Sequence, residues 1–314
     1  MNTTNTKSPD ARGATSSAQG LRDSAAPRTE IRQDGETPLF EKFYRGMTSP
    51  LRLLPDFLVI GTQRGGTTSL YNYLQALPCI EPSSTKEIHF FDRRFSKGLT
   101  WYRGHFPTRV EKYYAQRLRR RPFVTGEASP AYLFHPHVPR RVAGALPHVK
   151  LIVLLRNPVD RAYSQYYHAV ELGFETLPFE EAIKDEVERT SEEREKILQD
   201  EHYDSYAYKH RSYLSRGIYV EQLQTWMSLF AREQFLILKS EEFYADPAGS
   251  VKQVLAFLNL SLEEPQLRKQ DYKQYNNTTY SRMDAALRKR LIEYFEPHNA
   301  RLYDFLGINF GWDR

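Results

Sequence analysis

Three short stretches hold residues whose types and spacing suit the binding and transfer of an anionic group. The first is Gly61-Thr-Gln-Arg-Gly-Gly-Thr-Thr68, continued by Ser69. Glycines permit positive φ and close approach of backbone N–H groups to phosphate oxygens. A helix that opens on Thr and Ser adds hydroxyl donors and a positive dipole end. Arg64 adds a fixed charge, so Arg64, Gly65, Gly66, Thr67, Thr68 and Ser69 are candidates to hold a phosphate-like group. The second stretch is Arg156-Asn-Pro-Val-Asp-Arg-Ala-Tyr-Ser164. A guanidinium fork at a strand end and a hydroxyl in the following helix can converge on one phosphate. Beside the first loop, Arg156 and Ser164 read as a second, separate phosphate subsite. The third is Lys86-Glu-Ile-His-Phe-Phe-Asp92. If it is extended, Glu87 and His89 share a face, and either could act as a general base.

Those residues need elements to place them. Phe57–Thr62 is a continuous apolar run ending in a Gly turn, the pattern of a buried strand. Thr67–Leu77 follows as a helix with Leu70, Tyr73, Leu74 and Leu77 on one face. Phe123–Ser129, Lys150–Arg156 and Phe235–Leu238 read as further strands. Asp160 is expected to cap a helix through His168, and another helix is expected around Val251–Leu258. Apolar strands alternating with amphipathic helices imply an α/β fold, a mostly parallel sheet covered on both faces. Ligands of such sheets bind at the carboxyl ends of the strands. The Gly61 loop and the Arg156 turn both lie there and can share one site.

Composition narrows the partners. The chain has 314 residues and a formal net charge of +5. A mild basic excess suits an anionic ligand and does not argue for nucleic acid. The run Arg117–Arg121 is read as a solvated helix end, and no nucleic-acid partner is expected. Cys79 is the one cysteine, so no internal disulfide can form, and it reads as a small buried apolar residue. No apolar run approaches the roughly 20 residues that span a bilayer. Residues 1–37 are rich in Thr, Ser, Ala, Gly and charges of both signs, without the apolar core of a secretory signal. They are expected to form a disordered tail, with one folded domain over 38–314. The charged, then Tyr-rich stretch Asp185–His210 reads as a solvated helix and loop.

A phosphate loop built for nucleoside triphosphates carries Lys after its last glycine, where this chain has Thr67. The three stretches instead resemble the sulfotransferases that use 3′-phosphoadenosine 5′-phosphosulfate (PAPS), in particular the heparan sulfate 3-O- and N-sulfotransferase branch and its bacterial relatives. The matching segments run in the family's order. Gly61–Ser69 resembles the loop for the 5′-phosphosulfate, and Lys86–Asp92 the motif with the catalytic carboxylate. Trp101–Pro107 and Gly126–Tyr132 resemble two further segments. Arg156 and Ser164 match the pair that holds the 3′-phosphate, and Leu291–Asn299 and Leu306–Trp312 resemble the family's C-terminus.

The resemblance implies a P-loop-like three-layer fold with a central parallel sheet flanked by helices, so that 38–314 is a sulfotransferase domain. It implies in-line sulfuryl transfer from PAPS as co-substrate to a hydroxyl or amine, with no metal. Glu87 is implied as the base, Arg64 as the charge beside the bridging oxygen, and Thr67 and Thr68 as holders of the phosphosulfate. His89 is implied as an orienting neighbour. The family usually has Lys where this chain has Arg64; Arg keeps the charge but is a very poor proton donor. A Lys-Gly loop near the C-terminus of the animal enzymes is replaced at about the same place by Asn276-Asn-Thr-Thr279, which makes Asn276 and Asn277 candidate donor contacts. The animal enzymes also carry a membrane anchor and disulfides, so the expectation here is a soluble, bacterial, cytoplasmic enzyme. The acceptor is a glycan, glycolipid or small metabolite, with contacts expected from Arg93–Lys97 and Asp185–Arg216. Two other readings stand beside this one: a nucleoside triphosphate-dependent kinase using the same loop, and a non-catalytic anion- or glycan-binding protein of the same fold.

Overall fold

The computed structural model describes residues 38–261, 272–273, 275 and 280–313. Its centre is a five-stranded, all-parallel sheet in the order β2-β3-β1-β4-β5. The strands are β1 (Phe57–Gly61), β2 (Ile80–Pro82), β3 (Val124–Ala128), β4 (Lys150–Leu155) and β5 (Phe235–Lys239). β1 is central, between β3 and β4, and alternate residues along it enter different cores. Leu58 and Ile60 join Leu151, Val153, Phe90, Tyr102 and Trp226 on one face. Phe57 and Val59 join Leu70, Leu74, Ile152, Leu154 and Phe243 on the other. A strand buried on both faces loses the polar half of its alternation, which is why β1 and β4 read as unbroken apolar runs.

Helix α1 spans Leu39–Thr48 and helix α2 spans Thr67–Gln75, directly after the β1 loop. The helix after β4 runs from Pro158 to Glu171, earlier than expected, and Asp160 is not its cap. The cap is Asn157, whose Oδ1 accepts from the N–H groups of Val159 (3.0 Å) and Asp160 (3.4 Å). Pro158 takes the first helical position, where a missing N–H costs nothing. Asp160 is thereby free to face outward, where its carboxylate takes both guanidinium nitrogens of Arg288 (2.6 and 3.3 Å). That bond ties the helix to the C-terminal helix Ala285–Leu306. The segment 185–210 folds as the helix Glu186–Gln199 and a short helix Tyr206–His210. It is less solvated than its composition suggests: Glu186 is buried and accepts from the N–H groups of Leu214 (2.6 Å) and Ser215 (2.9 Å).

One buried carboxyl group sits inside the sheet, where burial raises its pKa. Glu127 of β3 is fully buried. Its Oε1 accepts from the Tyr102 (2.7 Å) and Tyr132 (3.1 Å) hydroxyls, and its Oε2 from Ser129 (2.8 Å). The hydroxyls pass the constraint on: Tyr132 Oη accepts from the Phe90 N–H (2.9 Å) and Ser129 Oγ from the His89 N–H (3.3 Å). Replacing Glu127 with Ala leaves three buried hydroxyls without their acceptor. The expected loss, read from urea denaturation, is about 3 kcal/mol or more.

Candidate active site

A cavity of about 430 Å³ opens at the carboxyl ends of β1 and β4. Arg64, Thr67, Thr68, Glu87, Arg156 and Ser164 line it together. The three stretches singled out in the sequence therefore meet in one place.

The loop after β1 is shaped by two glycines. Gly66 has φ +99° and is the residue before α2, a left-handed position that a side chain strains. Gly65 lies against backbone: a Cβ there would stand 2.8 Å from the Leu154 carbonyl oxygen and 2.9 Å from that of Thr62. The Gly65 carbonyl accepts from the Ser240 hydroxyl (2.8 Å), which fixes the loop from below. Ser69 points away from the cavity; it is fully buried, and its Oγ accepts from the Tyr275 N–H (3.2 Å). Asn276 and Asn277 lie outside the described residues.

Two guanidinium groups face the cavity. Arg64 Nε donates to Ser164 Oγ (3.0 Å), and Arg156 Nη1 donates to the Arg64 carbonyl (3.1 Å). Burial, and then the nearby Arg156 charge, lower the Arg64 pKa from its usual value. Among the described residues neither arginine has a carboxylate partner, whereas the acids on the same wall are engaged elsewhere. Asp160 pairs with Arg288, and Glu241 accepts from the Asn157 N–H (2.8 Å). Two crowded cations without counter-ions form a site for anionic oxygens.

Glu87 and His89 do not share the face of an extended strand. Both have left-handed backbone, φ +56° and +53°, and the following helix begins at Phe90. The Glu127 network holds the N–H groups of His89 and Phe90 and so imposes that turn. The two side chains still meet, His89 Nε2 lying 3.3 Å from Glu87 Oε2. On its other side His89 Nδ1 lies 2.8 Å from Asp92 Oδ2, and Asp92 is buried. Such a row of strained, non-glycine positions is characteristic of functional sites.

Lys86 was not singled out from the sequence for a role of its own. Its Nζ donates to Thr68 Oγ1 (2.7 Å) and lies 3.0 Å from Glu87 Oε1, linking the anion loop to the carboxylate. Burial by itself favours neutral Glu87. The His89 hydrogen bond and the Lys86 charge override it, and the carboxyl falls to about 2. His89 shows the converse: burial disfavours its charge, but Asp92 and then Glu87 raise it to about 9. At neutral pH the row is carboxylate, imidazolium, carboxylate, with only Glu87 reaching the cavity.

A smaller recess adjoins the cavity and shares Gln63 with it. Asp92, Arg93, Lys209, His210 and Arg216 line it, which brings the 185–216 segment to the edge of the site. Among the described residues no cluster of three or more His, Cys, Asp or Glu is placed to hold a metal ion, and no helix is long and apolar enough to cross a membrane.

A family model described as the sulfotransferase domain matches residues 54–292. The chain belongs to the sulfotransferase family. A solved sulfotransferase from Alicyclobacillus acidocaldarius is 31% identical with a TM-score of 0.60, covering 83% of this chain and 100% of its own. The heparan sulfate glucosamine 3-O-sulfotransferase 6 of Mus musculus is 28% identical over 83% of this chain and 75% of its own length. The membrane-associated sulfotransferase kil1 of Dictyostelium discoideum is 28% identical over 83% of this chain and 67% of its own length. The chain is thus a sulfotransferase, an enzyme that transfers a sulfuryl group, with the P-loop-like fold expected of one.

The raised His89 pKa links this sulfotransferase's stability to pH. Protonated His89 contributes fully below its unfolded value of 6.5, and the contribution disappears as pH rises through about 9. Asn tolerates left-handed backbone, so His89→Asn isolates the charge. The Tm gap between wild type and His89→Asn should be constant below pH about 6.5 and narrow towards pH about 9. A gap that widens over that interval contradicts the charge assignment.

Proposed function

We propose that this sulfotransferase takes PAPS as donor and sulfates a hydroxyl or amine of a glycan or small metabolite. The observation that carries this reading is the pair of arginines without carboxylate partners, Arg64 and Arg156, in one cavity with Glu87. A donor with several anionic oxygens suits two crowded cations, which Ser164 joins through its bond to Arg64. The loop N–H groups with Thr67 and Thr68 suit the phosphosulfate, and Arg156 with Ser164 suits the 3′-phosphate.

In the reaction the acceptor oxygen or nitrogen attacks sulfur, and the bond from sulfur to the phosphate oxygen breaks. The acceptor's proton passes to Glu87, and adenosine 3′,5′-bisphosphate leaves. Such transfers ask the protein mainly for positioning and charge stabilisation. Arg64 supplies charge where it develops on the leaving phosphate, a role that needs no proton donation. His89, clamped by Asp92, holds Glu87 in line. Lys86 couples the base to Thr68, so donor binding and base position are tied.

Glu87→Gln keeps size and polarity but removes the base. It should lower kcat by roughly 10²–10⁴-fold, with binding of adenosine 3′,5′-bisphosphate retained in calorimetry. Full turnover in the variant, measured with labelled PAPS, removes Glu87 from the mechanism. Arg156→Ala should weaken adenosine 3′,5′-bisphosphate by about tenfold or more relative to adenosine 5′-phosphate, since a charge-assisted contact is worth about 1.5–3 kcal/mol. Equal weakening of both nucleotides places the 3′-phosphate elsewhere.

A further inference from the structure

Helix α1 is turned inside out. Leu39, Phe40, Phe43, Tyr44 and Met47 are each between 51% and 83% exposed. At 100° per residue they fall within roughly 140° of the helix circumference. The polar side faces the protein instead: Arg45 pairs with Glu41 (2.9 Å) and reaches the Gly104 carbonyl (3.4 Å). A contiguous apolar face of this size on a protein surface marks an interaction site.

A second segment repeats the pattern. The helix Arg109–Tyr113 runs on as a π turn over Tyr114–Leu118. Val110, Tyr113, Tyr114 and Leu118 are 47% to 68% exposed. Around them stand Arg109, Lys112, Arg117, Arg119, Arg120 and Arg121 against three acids: Glu111, Glu81, which pairs with Arg121, and Asp56, which lies beside Lys112. The surface keeps an excess of three positive charges. Arg52 joins the two segments: its Nε donates to Thr48 Oγ1 (2.9 Å) at the end of α1, and its backbone bridges Thr108 just before Arg109. Lys112 lies 3.7 Å from Asp56, which immediately precedes β1. The basic segment therefore sits at the amino ends of the strands, opposite the active-site cavity.

We infer that α1 and the 109–121 segment form a docking surface for an anionic lipid membrane. Exposed aliphatic and aromatic side chains beside clustered Arg and Lys are what an interfacial, non-spanning contact requires. Tyrosines at such a contact place rings among headgroups and hydroxyls in water. A second copy of the chain is disfavoured as occupant, because two surfaces that each keep an excess of three positive charges repel. Residues 1–37 are disfavoured too, since Met1, Leu21 and Ile31 are their only large apolar residues. Docking through this pole leaves the cavity facing away from the bilayer.

The test is flotation of the full chain with vesicles of phosphatidylglycerol and phosphatidylcholine, against phosphatidylcholine alone. Wild type should float with the anionic vesicles and be released as salt rises. Two variants act on different halves of the surface: Phe40→Ser/Phe43→Ser/Met47→Ser on α1 and Arg117→Glu/Arg119→Glu on the basic segment. Each should bind anionic vesicles roughly tenfold or more weakly, with the circular dichroism spectrum and Tm of wild type. The inference is overturned if wild type does not float with anionic vesicles, or if both variants float as wild type does. It is also overturned if wild type is a dimer that the α1 variant makes monomeric, which would assign the face to a second copy.

Discussion

Burying a carboxylate in the middle of a parallel sheet is costly unless donors surround it. Glu127 meets that condition with three hydroxyls, from Tyr102, Ser129 and Tyr132. Two of those hydroxyls then hold the backbone N–H groups of His89 and Phe90. The carboxylate thereby fixes a turn that the chain would not adopt unaided, with left-handed backbone at both Glu87 and His89. Everything the site does with Glu87 depends on that turn. The network joins β3, the turn after it, the helix Gly98–Arg103 that carries Tyr102 and the segment after β2, so the sheet and the site stand or fall together.

The second constraint is electrostatic. Arg64 and Arg156 crowd each other in one cavity, and the carboxylates that could relieve them are bound elsewhere, Asp160 by Arg288 and Glu241 by the Asn157 N–H. Folding energy from packing holds this repulsive arrangement in place, and an anionic ligand releases it. Glu87 is kept charged in the same field by Lys86 and by His89. A pKa lowered this far keeps Glu87 ionised at neutral pH. Arg64 adds its fixed charge to this field, and its Nε engages the Ser164 hydroxyl.

Polarity divides the molecule from end to end. The carboxyl ends of the strands gather the cavity, the adjoining recess and the residues that bear on chemistry. The amino ends carry Arg109–Arg121, to which Arg52 links the end of α1. Parallel strands separate these two poles automatically, because every connection returns the chain from one end to the other.

Strands β1 and β4 were legible in the sequence because burial on both faces writes them as continuous apolar runs, and the Gly61–Thr68 loop because of its glycines at tight positions after a strand. The order of the family's motifs was legible for the same reason: each is a local pattern. β2 was not, since three residues including Pro82 leave no periodicity to read. The helix after β4 was placed too late because Asn157 and Asp160 are both good caps, and only the position of Pro158 and the pull of Arg288 decide between them. Glu87 and His89 would share a face if the segment were extended; they meet instead through a left-handed turn. Lys86, Glu127 and Asp92 acquire their parts through Thr68, Tyr102 and His89. Residue types and local spacing determined by themselves which chemistry the chain could do. Which side chain faces the cavity, which charge remains unpaired and which apolar face stays outside were decided only by contacts between distant segments, because burial and charge depend on what packs alongside and not on neighbours in the chain.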